Sequence, residues 1–352
     1  MKISQISLRW WMVARPTAAE ILGKPPWSDD QITRASFDFI GIHRAFHVHP
    51  GYRHYAELDR LSLSKRLFDK AVLGLQSAVE AFLAHSITPG FRTRKLEGEF
   101  ADLTLSVQAA LFQAVTTALA FMDRAITLAK RLSVPGFDAY FEAAFEQNKR
   151  SQFVSELRHH FSHVAPLVAE WELSRAGRAA PQVAKFLLQI ADLEDAMKQD
   201  RKGWHALAKE FVDDHRASKA IDVVLLFSEH GKDLQKFYDW LYRAAEVVGG
   251  ADLIDYRDVE KRFNRIMTRM GWNAWVIPWM NQADPRFVLD QYLTDNEVKI
   301  VNSLPTNSRA QVNQMIAFLD AKYSFMDDAM KRTIYKRFGI ETNTYYQRFE
   351  TS

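Results

Sequence analysis

The chain has 352 residues, 47% of them hydrophobic and 12% aromatic, and a formal net charge of +3. This length exceeds the usual size of one hydrophobic core, and the apolar fraction argues against disorder. Because cysteine is absent, disulfides, thiol nucleophiles and thiolate-bound zinc are excluded, and so small a charge does not by itself indicate a polyanion partner. Few glycines and prolines beside many helix-forming residues predict a mainly α protein.

Targeting segments are not evident in the sequence. The first residues lack the apolar run of a signal peptide, and no later segment has the uninterrupted apolar residues expected of a bilayer-spanning helix. We therefore expect a cytoplasmic protein without a membrane partner.

Residues 1–58 are predicted to form an N-terminal extension of irregular pattern. Asp29-Asp30 is expected to open a short helix that runs to about Ala45. Within it, His43 and His47 have the spacing of a helical metal pair. No further ligand stands at a matching interval, so we interpret them as packed or solvated histidines and predict no metal.

The pattern over residues 59–249 predicts a helical bundle. Apolar stripes at Leu61–His85 and Leu96–Leu132 indicate two long helices that pack antiparallel. Alternating residues at Val168–Ser174 and Gln182–Ile190 predict a small β-hairpin insertion. A last helix, from Ser218 to about Val248, is expected to end at a glycine pair, Gly249-Gly250.

Residues 250–352 are predicted to be a helical C-terminal domain. Three tryptophans recur around a proline there, a pattern typical of core or interface packing. They are Trp272, Trp275 and Trp279, with Pro278 between them.

The segment Phe153–Val164 carries the strongest chemical signal. It places Arg158 and three histidines (His159, His160 and His163) within six positions at the end of a predicted helix. On a straight helix, Arg158 and His163 project about 140° apart and lie about 7.5 Å apart along the axis. One copy therefore cannot easily aim both groups at one bond, whereas two copies related by symmetry can build a shared cleft.

These residues resemble the motif of the HEPN superfamily, which is Arg, a polar residue, three variable residues and His. Arg158-His159-His160-Phe161-Ser162-His163 matches it. The long helix pair before the motif and the aromatic-rich helix leading into it look like large bacterial HEPN-type proteins, over roughly residues 60–248, although only the motif is specific.

The resemblance implies a homodimeric, metal-independent endoribonuclease with no cofactor, a toxin or phage-defence effector with an antitoxin or defence partner. Arg158 would hold the scissile phosphate, and His163 would transfer protons during attack by the ribose 2′-hydroxyl. His159 would orient the cleft or share that role. The product would be a 2′,3′-cyclic phosphate, and DNA would be spared.

Two other interpretations of the motif stay open. Arg158 and His159 can decorate a solvent face while His163 favours the helix dipole, and members of the superfamily also serve as non-catalytic RNA-binding or assembly modules. A zinc site at His159 and His163 would need two more ligands, so it is disfavoured.

The segment Ala329–Phe349 is similar to a helix-turn-helix, with Gly339 at the turn. Basic residues of the first helix would contact phosphates, and polar residues of the second would reach base edges. These nucleic-acid-binding candidates are Lys331, Arg332, Lys336, Arg337, Asn343 and Gln347. The alternative function is therefore a non-catalytic DNA-binding regulatory or assembly protein, and a purely structural helical hairpin is the simpler interpretation.

Overall fold

The computed structural model describes residues 17–24, 27–37, 39–87, 97–163, 169–175, 182–200, 203–271, 293–321, 326 and 328–340. These residues are mostly helical, with one three-stranded antiparallel sheet, which confirms the predicted mainly α class with a small β insertion. Internal contacts group the chain into two compact units, Arg53–Gly250 on one side and Met1–Tyr52 with Ala251–Ser352 on the other. The predicted division into 1–58, 59–249 and 250–352 is a finer one and stays a prediction.

The described elements follow one another along the chain with short connections. The helices are α1 (Ala18–Leu22), α2 (Asp29–Phe37), α3 (Phe39–Val48), α4 (Tyr52–Ser86), α5 (Glu97–Leu132), α6 (Phe137–Phe141), α7 (Lys149–His163), α8 (Ile190–Gln199), α9 (Ala206–Asp214), α10 (Val223–Gly271), α11 (Asp295–Ser303), α12 (Arg309–Ala321) and α13 (Asp328–Arg337). The strands are β1 (Glu170–Arg175), β2 (Gln182–Gln189) and β3 (Ala220–Asp222). A π-helical turn, Glu142–Glu146, lies between α6 and α7.

The long helices α4 and α5 are antiparallel, as the sequence predicts. The start of α4 contacts the end of α5 through Glu57 and Arg131, 2.6 Å apart. At the other end, the ring centroids of Phe82 and Phe100 are 5.6 Å apart. Helix α4 begins at Tyr52, well before the predicted Leu61, because the apolar stripe marks only the part of a helix that is buried.

Helix α5 is apolar enough to pass a membrane-span test, which the search for an uninterrupted apolar run missed. Its span Gly98–Leu132 has a mean hydropathy of 1.5 over 18 residues, and 44% of that window is buried. The core helix of a folded domain passes the same test. Here Val107, Leu111 and Phe121 are buried in the unit, so packing accounts for the apolar composition of this face.

The predicted hairpin is confirmed and packs against the helix pair. Strand β1 pairs antiparallel with β2, with Trp171 opposite Phe186. The ring of Trp171 stacks on Phe82 at 3.3 Å, and its Nε1 donates to Thr104 Oγ1 at 3.0 Å. The hairpin is therefore anchored to both α4 and α5.

The prediction for the last helix of this unit was wrong at both ends. A third strand, Ala220–Asp222, pairs with β2, so helix α10 starts only at Val223. It does not end at the glycine pair but continues to Gly271, with one non-helical residue, Gly250, at φ 48° and ψ −138°. Glycine adopts this positive φ without steric cost, so the chain kinks there and resumes the helix.

The second unit has its own core, formed by α11, α12 and α13. Its buried side chains are Leu293, Val301, Val312, Met315, Ile316, Met326, Met330, Ile334 and Phe338. Towards the N-terminus, the structure has two helices, α2 and α3, where the sequence predicts one short helix. The predicted tryptophan group at Trp272, Trp275 and Trp279, with Pro278, lies outside the described residues.

A buried ion cluster joins α4 to α5. The Glu57 side chain is 3% exposed and its Oε1 accepts from Arg60 at 2.9 Å and from Arg131 at 2.6 Å. Arg124 lies 3.7 Å from the second carboxylate oxygen. The charge of this glutamate therefore holds three guanidinium groups at the junction of the two helices.

Removing that carboxylate should destabilise the protein strongly. We expect Glu57→Ala to lower the free energy of unfolding by about 3–5 kcal/mol, because it leaves several guanidinium groups without their counter-charge. Asp59→Ala, an exposed acidic residue on the same helix, is the matched control and should cost less than about 0.5 kcal/mol. Urea unfolding measures both, and equal losses would contradict a special role for Glu57.

Stability should also depend on pH through His230. This histidine is fully buried beside the ring edge of Phe68, and burial, aided by the charge of Arg150, lowers its pKa to about 3. Between the ordinary pKa of about 6.5 and the lowered value, the unfolded chain binds a proton that the folded chain does not. Stability is therefore present at neutral pH and falls as the pH drops through this window.

His230→Leu removes that linkage. The loss of unfolding free energy between pH 7.5 and 5 should be smaller than in the wild type by about 2 kcal/mol. His85→Leu changes an exposed histidine and should leave the pH dependence as it is. Urea unfolding at the two pH values decides, and parallel curves for all three proteins would refute the assignment.

Candidate functional site

Helix α7 carries the motif and is fixed by packing on two sides. It starts where the Asn148 side chain accepts from the Ser151 amide at 3.1 Å, an N-terminal cap. Phe153, Val154 and Leu157 are buried on one face, and the ring of Phe153 stacks on Phe211 of α9 at 4.9 Å. Because this face is buried, the direction of every other side chain on α7 is set.

The Arg158 side chain is exposed, one position beyond the buried Leu157. Its guanidinium makes no hydrogen bond or ion pair with the part of the chain that the structure describes. Arginine presents five N–H donors in a fixed fork suited to phosphate oxygens. The predicted phosphate-binding residue is thus accessible for that role.

The His159 side chain lies beside a buried carboxylate. Its Nε2 is 3.9 Å from Oδ2 of Asp200. The Asp200 side chain is only 5% exposed, whereas that of His159 is 31% exposed. The imidazole therefore has one side towards an interior acidic group and retains contact with solvent.

His160 points into the interior and is 3% exposed. Its ring lies 6.2 Å from that of Trp204 in an edge-on arrangement. Burial lowers its pKa, and the charge of Asp200 opposes that shift. This histidine packs the helix against the α8–α9 connection and is not accessible to a substrate.

The connection between α8 and α9 is tied to α7. Glu156 Oε1 accepts from the backbone N–H of His205 at 2.9 Å, and the His205 side chain caps α9 by accepting from Leu207 N at 3.3 Å. The buried Trp204 fills the space next to Phe153, with ring centroids 6.0 Å apart. Asp200 is thus held by a segment that is anchored on the motif helix.

His163 is the last residue of α7, and its side chain lies outside the described residues, as does that of Ser162. The predicted convergence of Arg158 and His163 in a dimer cleft therefore stays a prediction. Among the residues that the structure describes, no group of three His, Asp or Glu side chains is placed to hold a metal ion. His43, one of the N-terminal histidines, lies edge-on to the ring of Phe263 at 5.8 Å.

A cavity of about 280 Å³ opens at the other end of α7. Its lining includes Tyr140, Asn148, Asp233 and Lys236, and none of the motif residues. Asn148 and Arg158 are ten positions apart, which is about 15 Å along a helix. This cavity is therefore separate from the candidate site.

The first half of the predicted helix-turn-helix is present. Helix α13 ends at Arg337, Gly339 has φ 67°, and Ile334 and Phe338 are buried in the core of their unit. Lys331, Arg332 and Lys336 lie on this helix, with Lys331 Nζ 4.0 Å from Asp320 Oδ2. The side chain of Arg337, and Asn343 and Gln347, lie outside the described residues, so DNA binding stays a prediction.

Sequence reasoning did not identify Asp200, Glu156 or Trp204 as neighbours of the motif. Asp200 stands more than 40 positions after Arg158 in the chain, and no local spacing relates the two. Only the packing of α7 against α9 brings them together. An acidic residue at the end of an amphipathic helix is too common a pattern to single it out.

Comparison of the chain with protein-family models, curated proteins and solved structures gives no match. The functional interpretation therefore rests on the motif, its resemblance and the geometry of α7.

Proposed function

We propose that this chain is a metal-independent, HEPN-type endoribonuclease that acts as a homodimer. The observation that carries the proposal is the exposed guanidinium of Arg158 directly beside His159, whose imidazole stands next to a buried carboxylate. An anion-binding group and a proton-transferring group on one packed helix suit cleavage of a phosphodiester.

In this mechanism Arg158 binds the scissile phosphate and stabilises the charge that develops on its oxygens. A histidine of the motif, His163 or His159, removes the proton from the ribose 2′-hydroxyl. The 2′-oxygen attacks the phosphorus and expels the 5′-oxygen of the next nucleotide, which takes up a proton from a second histidine. The products are a 2′,3′-cyclic phosphate and a 5′-hydroxyl end.

An exposed apolar surface near the motif supports the homodimer. Leu105 and Phe112 are 67% and 48% exposed, and a spacing of seven residues places them on the same face of α5. Phe112 lies 6.4 Å from Phe161 of the motif helix. Burial of this surface by a second copy would bring two motif helices near each other.

RNA cleavage tests the proposal directly. The protein should cleave mixed RNAs in EDTA and leave 2′,3′-cyclic phosphate ends, and a 2′-deoxy nucleotide at the cleavage site should block the reaction. Arg158→Ala and His163→Ala should each lower the rate by about 10²–10⁴-fold. Arg66→Ala removes an exposed arginine of α4 and serves as the matched control with unchanged rate. Cleavage that needs a metal, or that survives both motif substitutions, would refute the mechanism.

The dimer is tested by a charge in the apolar surface. Leu105→Glu should shift the protein from dimer to monomer in light scattering after size exclusion and reduce cleavage in parallel, because a buried unpaired carboxylate costs several kcal/mol. Leu73→Glu, a change at a leucine of α4 that is 61% exposed, should alter neither property. A Leu105→Glu protein that remains dimeric would place the interface elsewhere.

A further inference from the structure

We propose that Asp200 is a positioning residue that holds the His159 imidazole beside Arg158. The inference rests on the proposed function for its catalytic consequence, although the contact itself is a property of the fold. It assigns a task to an acidic residue that lies outside the motif and is remote from it in sequence.

Backbone hydrogen bonds fix Asp200 at the end of α8. Its N–H donates to Ala196 O at 3.1 Å, and its carbonyl accepts from Gly203 N at 3.0 Å. Gly203 has φ 72°, a left-handed conformation that glycine adopts readily. This tight turn directs the chain from α8 into the segment that packs on α7.

The position of the carboxylate relative to the motif is fixed as well. Glu156 of α7 accepts from the His205 amide at 2.9 Å on one side of this segment. On the other side Trp204 is buried beside Phe153. Asp200 therefore cannot move relative to His159 without breaking contacts that belong to the core of the unit.

A carboxylate buried to this degree requires compensation by hydrogen bonds or by opposite charge. The described groups closest to it that can carry positive charge are the two imidazoles, with His159 Nε2 at 3.9 Å. Its charge also acts on His160, where it opposes the effect of burial on the pKa. Because His160 is interior and His159 reaches solvent, His159 is the one of the pair that a substrate can meet.

A fixed carboxylate has two effects on an imidazole. It favours the tautomer with the proton on the nearer ring nitrogen, here Nε2, and it stabilises the imidazolium that forms on proton uptake. Both effects prepare His159 to exchange a proton with a substrate held by Arg158. In the sequence, His163 is the primary proton-transferring residue, and the geometry gives His159 the better supported position.

The test compares Asp200→Asn with Asp200→Glu in the full-length protein. The amide should lower kcat for RNA cleavage by about tenfold or more and leave KM within about twofold, because orientation affects the chemical step and not phosphate binding. The glutamate variant should recover part of the activity. Asp192→Asn, an exposed acidic residue of α8, is the control and should match the wild type.

A second readout does not depend on activity. The ¹⁵N imidazole signals of His159, assigned by their loss in His159→Gln, should show one predominant tautomer in the wild type and a mixture in Asp200→Asn. If Asp200→Asn is too unstable to study, the same signals in Asp200→Glu should remain those of one tautomer.

The outcomes separate this inference from the proposed function. If the wild type cleaves RNA and Asp200→Asn has normal kcat and normal His159 signals, the inference is wrong and the function stands. If the wild type does not cleave RNA, the function is wrong, and the His159 signals alone decide the inference. Unchanged signals in the folded asparagine variant then overturn it.

Discussion

The burial of one face of helix α7 determines which motif residues can do chemistry. Phe153 and Leu157 are fully buried against neighbouring elements, and successive residues of a helix are rotated by about 100°. Once these two side chains are inside, Arg158 faces solvent and His160 faces the interior. The sequence lists four charged or titratable groups in six positions, and the packing separates them into accessible and structural ones.

Two buried carboxylates in this unit illustrate different uses of the same group. Glu57 is surrounded by guanidinium groups, which stay charged at all accessible pH values, so its contacts are permanent and join α4 to α5. Asp200 instead neighbours imidazoles, whose charge changes near neutral pH. A permanent pair suits a structural junction, whereas a carboxylate next to a titrating group suits proton transfer.

The sequence predicts those features that are written as a local period. The long stripes of α4 and α5 and the alternation of β1 and β2 have such a period, and the structure confirms them. Strand β3 has three residues and exists because it pairs with β2, so no alternation announces it. Asp200 escapes for the same reason, because its relation to the motif is set by tertiary packing and not by spacing.

The same packing bears on how Arg158 and His163 can cooperate. Helix α7 contacts both α5 and α9 and is helical through His163, so bending it to bring both positions to one point would break a packed interface. Their offset of about 140° and about 7.5 Å is therefore a fixed property of one chain. A mechanism that uses both residues at one phosphate consequently requires a second copy of α7, whereas one that uses Arg158 with the adjacent His159 does not carry that requirement.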